Sequence, residues 1–234
     1  TAKGSFMYSP NANKDLKTLD RKIDINNIFT QNRLSLDDTV EGGQSLTLGG
    51  EYSLKSKVSG NDIIKGGLAT VLRDDEETNL PTKSTLNNKG SDFIGSMMFE
   101  PNKNFKFDYN FSMDSDFKSS NYNSLKTDVS VNKFVTSFEF LQEDDEVGSE
   151  SFLSNETSYK FNDLYSLKYR TRRNKKTDFT EFYNLIYEYK NDCLTASIQY
   201  NKDYYSDNEL KPTEELFFSI SIVPLANLNT PSVR

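Results

Sequence analysis

Cys193 is the most reactive side chain of the sequence, which contains one cysteine and no histidine. Zinc sites, Ser-His-Asp triads and Cys-His dyads need histidine or several cysteines, so the chain alone supports none of them. Two interpretations of Cys193 remain open: a buried thiol acting as a small hydrophobe, or half of a disulfide whose partner lies outside the chain. Strand alternation favours the second, because it puts Cys193 on the same side as Thr195 and Ser197 and opposite Leu194.

A basic cluster follows a strand-like segment and is the second candidate for chemistry. Its members are Arg170, Arg172, Arg173, Lys175 and Lys176. Guanidinium groups bind phosphate through two parallel hydrogen bonds, so the cluster could hold a phosphorylated ligand. A solvated hairpin end is the alternative interpretation.

Two acidic runs could bind divalent cations. They are Asp74–Glu77 and Glu143–Glu146. Neither run has the spaced oxygen ligands and the turn glycine of a calcium loop, which favours solvated loop tips. We therefore predict no metal site, no cofactor and no enzymatic activity.

The composition restricts the class of protein. The 234 residues are only 35% hydrophobic but 13% aromatic, with a net charge of -7 and a mean hydropathy of -0.71. Disordered chains are poor in aromatic residues, so a sheet with one wet face and one aromatic-rich face fits better. The acidic balance argues against a nucleic-acid partner. The chain opens at Thr1 without an initiator Met or a leader, so we expect a partial chain.

The elements that carry these residues are strands with alternating sides. In Phe105–Met113 apolar side chains alternate with Lys106, Asp108 and Asn110. The polar side continues in later segments through Lys126, Asp128, Glu156, Lys160, Lys168 and Arg170. The pattern predicts about twelve strands, most of them near the ~9–11 residues that cross a bilayer at a tilt.

Short and long connections alternate along the chain. Short ones are predicted at Ser56–Asn61, Pro101–Asn104, Asn132, Asn162 and Asn191. Longer ones are predicted at about 10–44 and at Asp74–Gly90, Ser115–Asn121, Glu143–Ser151, Arg172–Asp178 and Tyr205–Thr213. Outer-membrane barrels distribute periplasmic turns and extracellular loops in this way. A soluble sandwich also alternates, but its strands are shorter. We predict an all-β, antiparallel up-and-down transmembrane β-barrel, present as a partial barrel over 1–234.

The long connection near residues 10–44 contains an arginine with neighbouring carboxylates. The residues are Asn32, Arg33, Asp37 and Glu41. No nucleophile or metal set accompanies them. We expect them to pin the connection against the barrel rim, with the loop folded inward over the lumen.

Two stretches resemble the family of the D component of the lipopolysaccharide transport machinery, LptD. The first comprises Asn26–Ser35, Asp37, Glu41–Gly42 and Leu46–Tyr52. The second comprises Tyr187–Leu194, Tyr200, Asp203–Tyr204, Glu209–Pro212 and Phe217–Ile222, and is similar to the last three strands of that family. The likeness extends from end to end of the chain, as the C-terminal part of a longer protein.

The resemblance implies an outer-membrane translocon of a Gram-negative cell that inserts lipopolysaccharide into the outer leaflet through a barrel lumen and a lateral seam. Its implied partners are lipopolysaccharide, outer-membrane lipid, a plug lipoprotein of the LptE kind in the lumen and a periplasmic bridge component that binds the missing N-terminal domain. It also implies a disulfide from Cys193 to that domain, and contacts of the basic cluster with lipopolysaccharide phosphates.

The last strand, at about 214–224, would form one side of the seam. Its apolar side carries Leu216, Phe218, Ile220 and Ile222. Pro224 follows at once and cannot donate to a strand ladder, which predicts weak pairing there. The alternative function is a stand-alone porin of about twelve strands for small solutes. A barrel lipase or protease is a third class, and the absence of histidine argues against it.

Overall fold

The computed structural model describes residues 1–36, 40–144, 147–204 and 213–222, and the backbone of 226–229. Asp37 of the predicted pinning group lies outside the described residues, as do Asp145 and Glu146 of the second acidic run and the end of the predicted last strand. Among the described residues, no helix is long and apolar enough to cross a membrane.

The described residues form thirteen β-strands. Those before residue 132 are β1 (Ala2–Ser9), β2 (Gly43–Lys55), β3 (Asp62–Arg73), β4 (Phe93–Asn102), β5 (Phe105–Met113) and β6 (Ser120–Val131). Those after it are β7 (Phe134–Glu143), β8 (Ser151–Lys160), β9 (Tyr165–Asn174), β10 (Phe179–Lys190), β11 (Leu194–Asp203), β12 (Thr213–Ile222) and β13 (Ala226–Asn229).

Each strand pairs with the next strand along the chain. The ladders are antiparallel, as in β1 with β2, β2 with β3 and β10 with β11. The predicted fold class, all-β and antiparallel up-and-down, is confirmed. Its basis is the two-residue period of the apolar side chains, which fixes the register wherever one face differs from the other.

The chain divides into two compact units. Unit 1 comprises 1–102, 106–125 and 141–150, and unit 2 comprises 103–105, 126–140 and 151–234.

In unit 1 the two faces of the strands have opposite surroundings. Phe6, Leu46 and Leu72 pair across β1, β2 and β3 on one face, and they are 68%, 39% and 44% exposed. On the other face Thr47 and Val71 are buried beneath the connections 10–42 and 74–92. We call the first the apolar face and the second the loop-covered face. Large apolar side chains of the apolar face are thus exposed, whereas a soluble sheet would bury them.

The core of unit 1 lies between the strands and the connections. It consists of Ile23, Ile28, Leu34, Ala69, Val71, Leu80, Leu86 and Ile94. Five of these residues come from the connections, so the long loops supply the larger share of the buried apolar side chains. Burial of apolar surface contributes about 25 cal/mol for each Å² removed from water. This contribution favours connections that stay docked on the strands.

In unit 2 the apolar and polar side chains also lie on opposite faces of the strands, without a covering loop among its described residues. A row of apolar side chains crosses β8 to β12 at matching register positions: Tyr159, Leu167, Tyr187, Ile198 and Phe218. Tyr159, Tyr187, Ile198 and Phe218 of this row are 42–45% exposed. Aromatic and β-branched neighbours across strands are a stabilising element of a sheet.

Among the connections that the structure describes in full, one hairpin departs clearly from the predicted alternation of short and long. The sequence indicated a long connection at Arg172–Asp178, but β9 continues to Asn174 and only 175–178 separate it from β10. Arg173 and Asn174 pair with Thr180 and Phe179 in the ladder. The end of β9 resembles a loop in sequence because its residues are charged. Their side chains are solvated or paired with carboxylates, while the backbone continues in the strand ladder.

Candidate functional site

The connection 10–42 docks through close contacts with two glycines of the loop-covered face. A Cβ on Gly67 would lie 2.6 Å from Ile25 Cγ1, and a Cβ on Gly49 would lie 2.9 Å from Phe29 Cζ. Alternation puts both glycines on the same face as Thr47 and Val71. At position 67 a side chain would meet the docked segment first, so glycine lets the connection approach the strand closely. A Cβ on Gly49 would lie even closer to Leu68 O and Ala69 Cβ of β3, at 2.5 and 2.6 Å, than to Phe29.

A buried ion cluster ties the connection to β2 and β3; we call it the arginine latch, and it consists of Arg33, Glu41 and Arg73. Arg33 Nε donates to Glu41 Oε2 at 2.7 Å. The other carboxylate oxygen, Oε1, accepts from both Arg33 and Arg73. The three residues are 3%, 5% and 6% exposed. Glu41 therefore compensates two guanidinium groups at a buried position.

Hydroxyl groups of β2 complete the surroundings of Arg33. It donates to Ser45 Oγ at 3.0 Å and to Thr47 Oγ1 at 3.2 Å. Arg73 also donates to the carbonyl of Gly42. A buried charge is tolerated only when its hydrogen-bonding groups are paired, and the polar side of β2 provides those partners.

A set of hydrogen bonds joins the connections 10–42 and 74–92. Asn13 Oδ1 accepts from the Gly42 N–H at 2.7 Å, and Asn13 Nδ2 donates to Glu77 Oε2 at 2.8 Å. The Leu16 N–H donates to the Asn79 carbonyl at 2.7 Å. Sequence reasoning missed Asn13 and Arg73, because nothing in their local patterns separates them from ordinary loop or strand-end residues. It assigned Glu77 to a solvated loop tip, whereas Glu77 accepts a hydrogen bond from Asn13.

An exposed ion pair links the same two connections. Lys83 Nζ lies 3.0 Å from Asp20 Oδ1. The hydrogen bond from Lys83, together with its charge, holds the pKa of the Asp20 carboxyl below its ordinary value. Asp20 is consequently ionised over a wider pH range than a free aspartate.

A cavity of about 340 Å³ opens beside the docked connection. Its lining comprises Lys22–Asn26, Lys83–Thr85, Ile94, Gly95, Asn110–Ser112, Tyr122 and Val147. Lys22 contacts Glu143 and lies 5.6 Å from the ring centroid of Tyr122. Near the cavity, the buried Asp92 carboxylate accepts from Asn121 Nδ2 at 2.9 Å. Charged, hydroxyl and ring groups together suit a hydrated polar ligand more than an apolar one.

In unit 2 a groove of about 410 Å³ follows the polar face. Among its lining residues are Lys126, Asp128, Glu139, Glu156 and Arg170, so charges of both signs alternate across it. Arg170 Nε lies 3.2 Å from Glu156 Oε2. Mixed charges and hydroxyl groups offer donors and acceptors to a sugar without concentrating one sign of charge.

Comparison with known families matches residues 5–146 to the model described as LptD: LPS transport system D. The matched span covers more than half of the chain and contains the arginine latch, the docked connection and all lining residues of the unit 1 cavity except Val147. The chain belongs to the LptD family. No curated protein matches it. Among solved structures it is similar to a KdgM porin, at 11% identity and a TM-score of 0.31, over 68% of this chain and 84% of that one.

Within this LptD-family chain, the basic cluster does not converge on one point. Arg172 Nε lies 2.7 Å from Glu181 Oε2, and its guanidinium lies 3.9 Å from the ring centroid of Phe152. Arg173 donates to Asp178 Oδ1 at 2.7 Å and, by alternation, points to the opposite face. Lys175 and Lys176 are exposed in the turn that follows β9.

Cys193 is exposed and free, in the turn that precedes β11. Its backbone N–H donates to Asn191 Oδ1 at 2.9 Å. The exposure fits an accessible thiol better than a buried hydrophobe. Cys193 lies at a short connection. The alternation of short and long connections predicts that the short ones lie on the periplasmic side.

The predicted seam strand corresponds to β12. Leu216, Phe218, Ile220 and Ile222 alternate with polar side chains and are 36–45% exposed. Ser219–Ile222 pair with Asn229–Ala226 of β13, so a short strand follows β12 in the ladder. These residues, like the basic cluster and Cys193, lie beyond the span that matches the LptD model.

Two of the remaining predicted site residues have local roles. Asn32 exchanges hydrogen bonds with the backbone of Leu36 at 2.7 and 3.0 Å and stabilises a turn next to the latch. In the acidic run, Lys89 Nζ lies 3.8 Å from Asp75 Oδ1. Among the described residues, no group of three or more histidine, cysteine or acidic side chains could hold a metal ion.

Proposed function

We propose that the chain is part of the wall of an outer-membrane barrel that inserts lipopolysaccharide into the outer leaflet of a Gram-negative cell. The family match over 5–146 is the observation that carries this proposal, because the family is that of component D of the lipopolysaccharide transport system. Transport of this kind is not enzymatic: no bond of the cargo changes, and the energy comes from elsewhere.

The two faces of the strands support a membrane location. Exposed rows such as Phe6, Leu46 and Leu72 would contact acyl chains, while the polar face would border water. Lipopolysaccharide has the same division, with acyl chains at one end and sugars at the other. The groove of unit 2 is the surface that the sugars would follow, and β12 would border the seam through which the acyl chains leave.

The arginine latch would hold the connection 10–42 on the loop-covered face while cargo passes. A connection that came free would change the cross-section available to sugars. We therefore assign Arg33 and Glu41 a pinning role, with Arg73 as the third member.

Lipopolysaccharide phosphates would be contacted by the basic cluster, in which Lys175 and Lys176 are exposed in the turn after β9. Arg170, Arg172 and Arg173 already face carboxylates, and a phosphate would have to replace Glu156, Glu181 or Asp178.

Full-length protein would bind its partners, a plug lipoprotein and a periplasmic bridge component, through surfaces that include the polar face and the segment preceding this chain.

Site-directed photocrosslinking in cells tests the proposal. A photoreactive residue at Glu139 or Lys126 of the groove is expected to form adducts with lipopolysaccharide that decline when energy is withdrawn. The matched control is Val58, an almost fully exposed residue in the β2–β3 turn. Solute flux through reconstituted protein, with no adduct at either groove position, would indicate a porin and contradict the proposal.

A further inference from the structure

The cavity of unit 1 is lined by both the docked connection and the strands. Lys22–Asn26 come from the connection, Asn110–Ser112 from β5 and Tyr122 from β6. The connection is held in place here, because Ile23 belongs to the core of unit 1 and Ile25 packs against Gly67. A ligand in the cavity would therefore contact the connection and the strands at the same time.

Part of the cavity lining is apolar. Ile23, Ile94 and Val147 are buried, and Phe111 and Tyr122 add two aromatic rings. Small-molecule sites combine such surfaces with a few placed polar groups, and their volumes range over ~300–1,000 Å³. At about 340 Å³ this cavity is near the lower end of that range, which suits a single ring better than a chain.

The polar part of the lining has hydrogen-bonding groups available for a ligand. The side chains of Asn26, Asn110 and Tyr122 have no hydrogen-bond partner among the described residues. Asp24 Oδ1 accepts from the N–H groups of Asn26 and Asn27 at 2.7 and 3.0 Å, and Oδ2 has no donor within the same part of the chain. Amide and phenol groups donate and accept, whereas a carboxylate only accepts.

The charges of the lining disfavour an anionic ligand. Lys22 contacts Glu143, and Lys83 Nζ lies 3.0 Å from Asp20 Oδ1, so both ammonium groups are already compensated. Asp24 adds a further carboxylate. A phosphate would have to displace an acidic partner of a lysine, and it could not donate to Asp24 because its oxygens only accept.

We propose that this cavity binds one uncharged pyranose ring, a sugar unit of the cargo. A pyranose has C–H groups on its faces and hydroxyl groups around its edge, and each hydroxyl both donates and accepts. The C–H groups would pack on Ile94, Val147 and Phe111, while the hydroxyl groups would bind Asp24 and Asn110. The inference deepens the proposed function and rests on it, because lipopolysaccharide supplies the sugar.

The bound sugar would also hold the connection 10–42 on the strands. Asp24 and Asn26 belong to the connection, whereas Asn110 belongs to β5, so the complete site exists only while the connection is docked. A ligand that binds one of two states stabilises that state by mass action. Sugar binding and docking of the connection are therefore expected to stabilise one another.

Sugar binding by full-length protein in neutral detergent tests the inference. Saturation-transfer NMR would compare the affinity for methyl α-D-glucopyranoside with that for glucose 6-phosphate. Wild type is expected to bind the uncharged pyranoside more tightly. N26A/N110A is expected to bind it at least about tenfold more weakly, because two hydrogen-bonding amides of the cavity are lost. The matched control, N11A/N61A, removes two exposed amides outside the cavity and is expected to bind as wild type does.

Trypsin cleavage after Arg33 gives a second measurement, because the residue is buried while the connection is docked. At about ten times its dissociation constant for wild type, the pyranoside is expected to slow this cleavage about tenfold. The same concentration should slow the cleavage of N26A/N110A by no more than about twofold. Heat-modifiable migration on gels verifies that each variant is folded.

Several results would overturn the inference: no binding of the pyranoside, equal or tighter binding of glucose 6-phosphate, or unchanged affinity in N26A/N110A. Pyranoside binding that leaves the cleavage at Arg33 unchanged would show that the sugar does not contact the connection, and would also overturn it. A missing lipopolysaccharide adduct in the groove of unit 2, with intact pyranoside binding, would contradict the proposed function and leave the sugar site standing.

Discussion

Glu41 is the residue on which the docking of the long connection depends most. Its two oxygens are shared between Arg33 and Arg73, and all three side chains are almost fully buried. A buried ion pair adds little stability compared with apolar residues of the same shape, but removing one partner leaves a charge uncompensated. The latch thus specifies where the connection lies and makes any other arrangement costly.

Glu41→Gln is expected to lower the free energy of unfolding by about 3–5 kcal/mol, because two buried guanidinium groups lose their carboxylate. Urea unfolding of the refolded protein, followed by gel migration, measures this change. Glu76→Gln removes an exposed carboxylate from the next connection and is expected to change stability by less than about 0.5 kcal/mol. Equal effects of the two substitutions would show that Glu41 is not a pinning residue.

The pair of Asp20 and Lys83 gives the docked connections a dependence on pH. The pKa of Asp20 is lowered by the hydrogen bond and the charge of Lys83, so the contribution of the pair is complete above the ordinary value of 3.8 and is lost as the pH falls through the lower folded pKa. NMR titration of the Asp20 carboxyl is expected to give a midpoint below 3.8 in wild type, and a return toward that value in Lys83→Gln. A midpoint that does not respond to Lys83→Gln would contradict the proposed effect of this ion pair.

At the scale of elements, neighbouring glycines in β3 have different surroundings. A Cβ on Gly67 would lie 2.6 Å from Ile25 Cγ1 of the docked connection, whereas the nearest atom to a Cβ on Gly66 would be Ser96 O at 3.4 Å. The strand therefore fits the connection closely on one face and has more space on the other.

Gly67→Val is expected to displace the connection that contains Arg33, and Gly66→Val to leave it docked. Trypsin cleavage after Arg33 measures the difference, because the residue is 3% exposed while the connection is docked. The Gly67→Val protein should be cut at Arg33 at least about tenfold faster, in line with a loss of more than about 1.4 kcal/mol of docking free energy. Equal cleavage of both variants would contradict the proposed docking.

The sequence predicted the bounds of the strands well, but it did not predict which residues of the connections would be buried. Strands such as Phe105–Met113 have a clear two-residue period, and their bounds agree with the structure. Ile28, Leu80 and Leu86 are isolated apolar residues in turn-rich segments, and no period marks them as core. The basic cluster was grouped by its spacing, but β9 continues through it and separates Arg172 from Arg173 by alternation.

At the scale of the whole molecule, we propose that Cys193 forms a disulfide with a partner outside this chain. It is exposed at a short connection, and an accessible cysteine in an oxidising compartment favours a disulfide. Full-length protein is expected to migrate differently on non-reducing gels with and without reductant, and Cys193→Ser to abolish that difference. A shift that persists in Cys193→Ser would exclude the proposed link to the N-terminal domain.

The central claim is that this LptD-family chain belongs to a barrel that delivers lipopolysaccharide to the cell surface. The most direct measurement is the arrival of newly made lipopolysaccharide at the surface of cells in which the full-length protein is depleted. Surface arrival is expected to fall as the protein disappears and to recover with wild type but not with a chain lacking residues 10–42. Unchanged arrival during depletion, with a loss of small-solute uptake instead, would contradict the account and identify a porin.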